Sequence, residues 1–177
     1  WKEDTYEQFC REAARGALFN SVASEPDLGS PSRGGLFTTT AKKTSDGYVV
    51  NGHKTWTTGG RYLTHMLVGV NLEGEKAVVL VEGNREGVRW VDTWSDCLSL
   101  RASESHDVYF EDTLVPPENL VPRNPRAIEG RPAWFPMVLG ATYLGTAIAA
   151  RDCVIRYALE RTPTALGKSI ASLPGVQ

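Results

Sequence analysis

The chain has 177 residues, 41% hydrophobic and 23% charged, with a formal net charge of −2, the balance of a folded globular domain and not of a disordered or fibrous one. Acidic and basic residues are interspersed, so there is no basic stripe to neutralise phosphates, and nucleic acid is excluded as an expected partner. Cys10, Cys97 and Cys153 are far apart, odd in number and share no ligand spacing with His53, His65 or His106, so neither a disulfide framework nor a metal centre is expected.

The chain opens on Trp1, Lys2, Glu3 and Asp4, a charged start without the apolar core of a signal peptide, and a reduced, cytoplasmic protein is the expectation. Tyr6, Phe9, Cys10, Ala13 and Ala14 then follow the spacing of an amphipathic helix, with Asp4 as its cap and Gly16 as its end. From there the period becomes strand-like. Residues 18–23, 36–43, 48–51, 53–57, 65–71, 77–82 and 108–110 read as short strands, punctuated by Asp46-Gly47, Asn51-Gly52, Glu73-Gly74 and Glu86-Gly87. Such turn dipeptides between β-rich runs predict antiparallel meanders, hence a barrel or sandwich of about 100 residues.

Past Pro116-Pro117 a polar, proline-bearing connector reaches about Pro132, and a helix is predicted from Ala133 to Arg161. The stretch from Ala133 to Ala150 carries no charge and touches the length of a membrane span. It also carries Pro136, Gly140, Thr142, Gly145 and Thr146 among many alanines, which suits a helix packed on all sides by other helices, and no membrane is expected. The fold class is therefore α+β, a central antiparallel β-barrel or sandwich flanked by helices. Its divisions fall at 1–17, 18–125 and 126–177, the first and last belonging to helical domains. Neither amphipathic end has a bundle of its own to sit in, so the chain is expected to be a fragment of a larger protein, inactive alone.

The common catalytic signatures are missing: no G-x-S-x-G elbow, H-E-x-x-H, P-loop or strand-linked G-x-G-x-x-G occurs. Ser32-Arg33-Gly34-Gly35 reads as a glycine-rich hairpin loop before an anion nest. The neighbours His106 and Asp107 read as surface polarity before a general base. Composition and spacing lead only to a β-domain with helices.

Three segments add more. They are Val22-Ala23-Ser24-Glu25-Pro26-Asp27-Leu28-Gly29-Ser30, Asn51-Gly52-His53-Lys54-Thr55-Trp56-Thr57-Thr58-Gly59-Gly60, and the run from Leu100 to Asp112 followed by Val115-Pro116. In order and spacing they resemble the T-E-P-x-x-G-S, N-G-x-K-x-W-I-T-N-G and L-R-x-S-x-x-x-x-V-x-F-x-D-x-x-V-P motifs of the acyl-CoA dehydrogenase family. The resemblance covers essentially the whole chain.

That resemblance implies FAD as cofactor. Residues Ser21, Val22, Ala23 and Ser24, and on to Ser30, would offer backbone N–H groups to the polar edge of the isoalloxazine. Ser30 would also meet the acyl-CoA substrate. Trp56 would lie on one flavin face, with Thr57 beside it, and Thr58 would hydrogen-bond flavin N5. Tyr157-Ala158-Leu159-Glu160-Arg161 and then Gly167-Lys168 resemble the family's Y-A-x-x-R-x-x-F-G-K, making Arg161 a candidate for the FAD pyrophosphate of a neighbouring subunit. This motif departs from the family in its two extra residues and in Leu166.

A further departure is that the family's substrate-side arginine falls on Pro136, and the position of some branches' catalytic glutamate falls on Phe135. No base is carried over, and Glu129 is the nearest carboxylate. The implied reaction is α,β-dehydrogenation of an acyl-CoA thioester in fatty acid metabolism, with electron-transfer flavoprotein or oxygen as acceptor, in a homo-oligomer (dimer or tetramer). The alternatives are a flavin monooxygenase on the same fold and a non-catalytic β-module.

Overall fold

The computed structural model describes residues 3–29, 35–122 and 134–176, and the chain divides into two compact units, Trp1–Arg123 and Asn124–Gln177. In the first unit, helix α1 (Glu3–Ala14) precedes strands β1 (Phe19–Val22), β2 (Thr40–Lys43), β3 (Tyr48–Thr57), β4 (His65–Leu72), β5 (Glu75–Glu82), β6 (Val88–Val91) and β7 (His106–Val115). The second unit holds helix α2 (Trp134–Glu160) and a short 3-10 turn, Ile170–Ser172.

Among the described residues the strands form one sheet of seven. Two hairpins fall where their turns predict: β2–β3 across Asp46-Gly47, and β4–β5 across Glu73-Gly74, whose Glu73 and Gly74 both take positive φ. The expected antiparallel barrel or sandwich holds in part: the β2–β3, β3–β7, β4–β5 and β6–β7 pairings are antiparallel, but two others are not. β1 pairs with the first half of β4 and β2 with its last two residues, both in parallel, so the sheet is mixed. Turn dipeptides specify only the antiparallel neighbours they join; β1 and β2 reach β4 across the chain, where no local signal exists. The sheet also curls: after β7, Asn119 donates to the Leu80 carbonyl at 3.1 Å and Leu120 bridges to Val79 on β5. The enclosed face carries Val22, Tyr48, Val50, Met66, Val68, Val70, Val81, Val108 and Phe110, all buried.

Asn51-Gly52 is not a turn. Residues 48–57 are a single strand, and the β3–β7 register slips between Val50 and Gly52. There Asp112, at φ 48, bulges out of β7. Asn51 pins the bulge by donating Nδ2 to Asp112 Oδ1 and accepting from the Asp112 N–H at Oδ1, both at 2.9 Å. Gly52 is required for contact instead: a Cβ there would lie 2.6 Å from Thr39 Cα. Strand β6 has no counterpart among the predicted strands, although Glu86-Gly87 marks the turn before it.

Helix α1 ends as predicted, with Gly16 at φ 98, but its stripe is narrower than expected. Phe9 packs edge-on against Phe19 and His65 (ring centroids 6.1 and 5.6 Å), while Tyr6, Cys10, Ala13 and Ala14 are exposed. Helix α2 carries no charged residue from Met137 to Ala150, and Met137, Tyr143, Leu144 and Val154 are exposed while Ala158 is buried. Its Met137–Glu160 portion is long and apolar enough, by length and composition, to cross a membrane.

Gly52→Ala is expected to destabilise the protein by about 1–3 kcal/mol through overpacking against Thr39. A lower urea midpoint at unchanged m-value is the check.

Candidate functional site

The β3–β7 register slips a second time between Lys54 and Thr57, where β3 carries one residue more than β7. Trp56 takes up the slack at φ 54, the left-handed region, and leaves its side chain 68% exposed. A bulky residue in that region costs about 1–3 kcal/mol, and an exposed indole recovers little of it by burial. The strain points to use of the ring from outside. Beside it lies a cleft lined by Glu25, Pro26, Thr55, Trp56, Thr93 and Asp107.

The bulge interrupts the alternation between Lys54 and Thr57, both buried, and past it Thr58, like Trp56, is exposed. The Thr57 side chain therefore faces away from the indole, with its hydroxyl buried and unpartnered. Thr58 Oγ1 stands 3.0 Å from Ser105 Oγ, which is 2.7 Å from Ser103 Oγ. Asn20 Nδ2 donates to the Thr58 carbonyl at 2.8 Å, and the Thr55 N–H donates to the Ser24 carbonyl at 3.0 Å. These bonds draw the end of β1 and the following loop alongside Trp56. Of the loop residues, Ser21 is exposed, Ala23 and Ser24 are half-buried, and Val22 points into the core, leaving it only backbone to offer. Ser30, Ser32 and Glu129 lie outside the described residues, as do the side chains of Phe135 and Pro136. Arg161 is in the second unit, exposed, its carbonyl accepting from the Ile170 N–H at 3.0 Å.

Two charged residues that sequence reasoning left without a role organise the site. Lys54 has no exposed surface and Glu25 is 4% exposed. The ammonium donates to Glu25 Oε1 at 2.8 Å and lies 4.1 Å from the centre of the Phe37 ring. Glu25 Oε1 also accepts the Thr39 N–H, while Oε2 accepts the N–H and hydroxyl of Thr38, at 2.7–2.9 Å. Burial alone would raise the Glu25 carboxyl, but the bonds from Lys54, Thr39 and Thr38 outweigh it and hold the pKa at about 2. Burial pushes the Lys54 ammonium below its ordinary value despite Glu25. A legible signal existed: Tyr48, Val50 and Lys54 share one face of β3 by alternation, and a lysine on a core face needs a partner.

His106 and Asp107 do not act as a pair, because strand neighbours point to opposite faces. His106 is buried, which corrects its reading as surface polarity. Its Nδ1 accepts the N–H groups of Thr93 and Trp94 (3.2 and 3.3 Å), so Nε2–H donates to Glu104 at 2.9 Å. That assignment leaves Nδ1 no proton for Asp92, 3.3 Å away. Asp107 instead meets His53 Nε2 at 2.7 Å and the Thr93 hydroxyl at 3.1 Å. Among the described residues no cluster of three or more His, Cys, Asp or Glu could hold a metal.

The sequence and the fold both match known proteins. Residues 21–113 match the family model of the acyl-CoA dehydrogenase middle domain. The chain is 34% identical to the putative acyl-CoA dehydrogenase YdbM of Bacillus subtilis, over 100% of this chain and 47% of that protein. An acyl-CoA dehydrogenase from Bacillus anthracis complexed with FAD is similar at 27% identity and a TM-score of 0.68, over 88% of this chain and 27% of that one. A probable acyl-CoA dehydrogenase from Mycobacterium abscessus shares the fold at a TM-score of 0.78 and 24% identity, over 99% and 47%. The chain belongs to the acyl-CoA dehydrogenase family. It spans about half the length of the curated relatives it matches.

Removing one partner of the clasp strands a buried charge, so Lys54→Met is expected to cost about 3–5 kcal/mol, and Glu25→Gln/Lys54→Met to recover part of that loss. Because the folded Glu25 pKa lies below its ordinary 4.5, the stability it contributes is complete above pH 4.5 and lost as pH falls towards 2. Denaturant unfolding across that window should show a smaller acid loss in Glu25→Gln than in the natural protein.

Proposed function

We propose that this chain holds FAD for the α,β-dehydrogenation of an acyl-CoA thioester. The observation that carries the reading is Trp56, held exposed in a strained bulge with exposed Thr58 beside it, whose hydroxyl stands 3.0 Å from Ser105 Oγ. These residues fit a flat heterocycle with a polar edge: an exposed indole, the exposed Thr58 and the adjoining 21–24 backbone. The FAD in the Bacillus anthracis relative supports the same cofactor.

Bound FAD would supply the two-electron acceptor for a hydride from the substrate β-carbon. The chain's own residues do the rest. Trp56 would cover one ring face and keep water from it, adding on the order of 1 kcal/mol by stacking beyond burial. Thr58 would hold flavin N5, and residues Ser21 to Ser24 would offer backbone N–H groups to the ring's polar edge. Ser30 is assigned to the acyl-CoA and Arg161 to the pyrophosphate of a neighbouring subunit. The clasp of Glu25 and Lys54 keeps the loop seated beside Trp56.

The divisions at 1–17, 18–125 and 126–177 belong to this reading, as does a cytoplasmic homo-oligomer, dimer or tetramer, in which other helices cover the apolar surface of α2. The electron acceptor is electron-transfer flavoprotein or oxygen.

The test is an anaerobic titration of the full-length, FAD-loaded protein with a panel of acyl-CoAs, followed by visible absorption. Bleaching by one chain-length class is the expected result. No bleaching by any of them would overturn the dehydrogenase in favour of a monooxygenase, and a protein unable to take up FAD would leave the non-catalytic module. Thr58→Val should slow flavin reduction about tenfold while changing the acyl-CoA dissociation constant less, measured by stopped-flow absorption.

A further inference from the structure

Three hydroxyls run in line behind the site: exposed Thr58, Ser105 at 5% exposure, and half-buried Ser103, with oxygens 3.0 and 2.7 Å apart. Each hydroxyl has one proton to donate and can accept. Ser105 touches both neighbours, so when it donates to one it is free to accept from the other. The chain then has two self-consistent polarities. In one, Ser103 donates to Ser105 and Ser105 to Thr58, which leaves the Thr58 proton free to point outward. In the other, Thr58 donates to Ser105 and Ser105 to Ser103, which leaves Thr58 lone pairs outward. Three hydrogens rotate, no bond breaks and no net proton moves.

The backbone holds this row in place. Leu100 and Glu104, at φ 53 and 50, bracket the Arg101–Ser103 turn. The Gly59 N–H donates to the Ser103 carbonyl at 2.9 Å. Gly60 approaches so closely that a Cβ there would lie 2.8 Å from the Glu104 carbonyl. Two left-handed non-glycine residues in one short turn carry strain, and the turn they shape holds Ser103 and Ser105 behind Thr58.

We infer that Ser105, with Ser103, is a positioning residue that sets the direction of the Thr58 hydroxyl. It lets that hydroxyl donate to a flavin ring nitrogen that is unprotonated and accept from the same nitrogen once it is N–H. This rests on the placement of Thr58 at the flavin edge proposed above. A lone threonine at such an edge satisfies one protonation state and leaves its own proton without a fixed acceptor in the other. A reversible row of hydroxyls satisfies both with no movement of heavy atoms, and each bond in the row polarises the next.

The test compares Thr58→Val, Ser105→Ala, the double variant and Ser103→Ala in the full-length FAD-loaded protein. The readouts are FAD affinity, the visible spectrum of the oxidised flavin and the rate of its anaerobic reduction. Ser105→Ala is expected to shift the spectrum in the same sense as Thr58→Val and to slow reduction about fivefold, with no further change when added to Thr58→Val. Ser103→Ala should give a smaller effect in the same direction; because Ser103 is half-buried, this variant carries the test if Ser105→Ala does not fold. A natural spectrum and rate in the serine variants, or effects that multiply with that of Thr58→Val, would overturn the row. If Thr58→Val itself changes neither spectrum nor rate, the placement of Thr58 falls, and this inference falls with it.

Discussion

A charge pair sealed inside a β-sheet is the constraint on which the site depends. Lys54 cannot turn outward, because β3 alternation commits its side chain to the same face as Tyr48 and Val50. Burying its ammonium is tolerable only with a counter-charge whose remaining lone pairs are also satisfied. Glu25 meets that requirement, and the Thr38 and Thr39 N–H groups complete it. One carboxylate thereby ties together the loop after β1, the entry to β2 and the middle of β3. These three segments are distant in sequence and make up much of the site.

Two bulges then aim the chemistry. On β7, Asp112 is excluded from the ladder and held by Asn51. On β3, Trp56 is excluded and left facing outward. A regular ladder would alternate without interruption; the extra residue re-aims a single ring and breaks the pairing locally. The strain in Trp56, together with that in Leu100 and Glu104 on either side of the Arg101–Ser103 turn, has to be offset elsewhere. The dry core of Met66, Val68, Val70, Val81 and Phe110 is the natural source.

The legible parts of the fold were the local ones. Asp46-Gly47 and Glu73-Gly74 sit in the hairpins they predict, and α1 and α2 fall close to their expected spans. Asn51-Gly52 misled because the same dipeptide that makes a tight turn also suits a contact where Thr39 packs in place of a side chain and Asn51 bonds across strands. Trp56 and Thr58 were visible through motif resemblance. Glu25, Lys54 and Ser103 stood inside those motifs unread, and Ser105 gave no sign, since a serine in a polar run is ordinary until other hydroxyls are brought beside it.

By itself, the sequence determined what short-range physics can encode: helical ends, strands of period two, turn positions, and a set of motifs that resembles one family. The tertiary structure alone decided that β1 and β2 run parallel to β4, that a buried lysine finds its carboxylate 29 residues away, and that Thr58 meets Ser105 across 47. The division follows from the range of the forces involved. Backbone propensity and turn chemistry act within a few residues. Desolvation of a charge and the pairing of hydroxyls are settled only when the chain has closed around them.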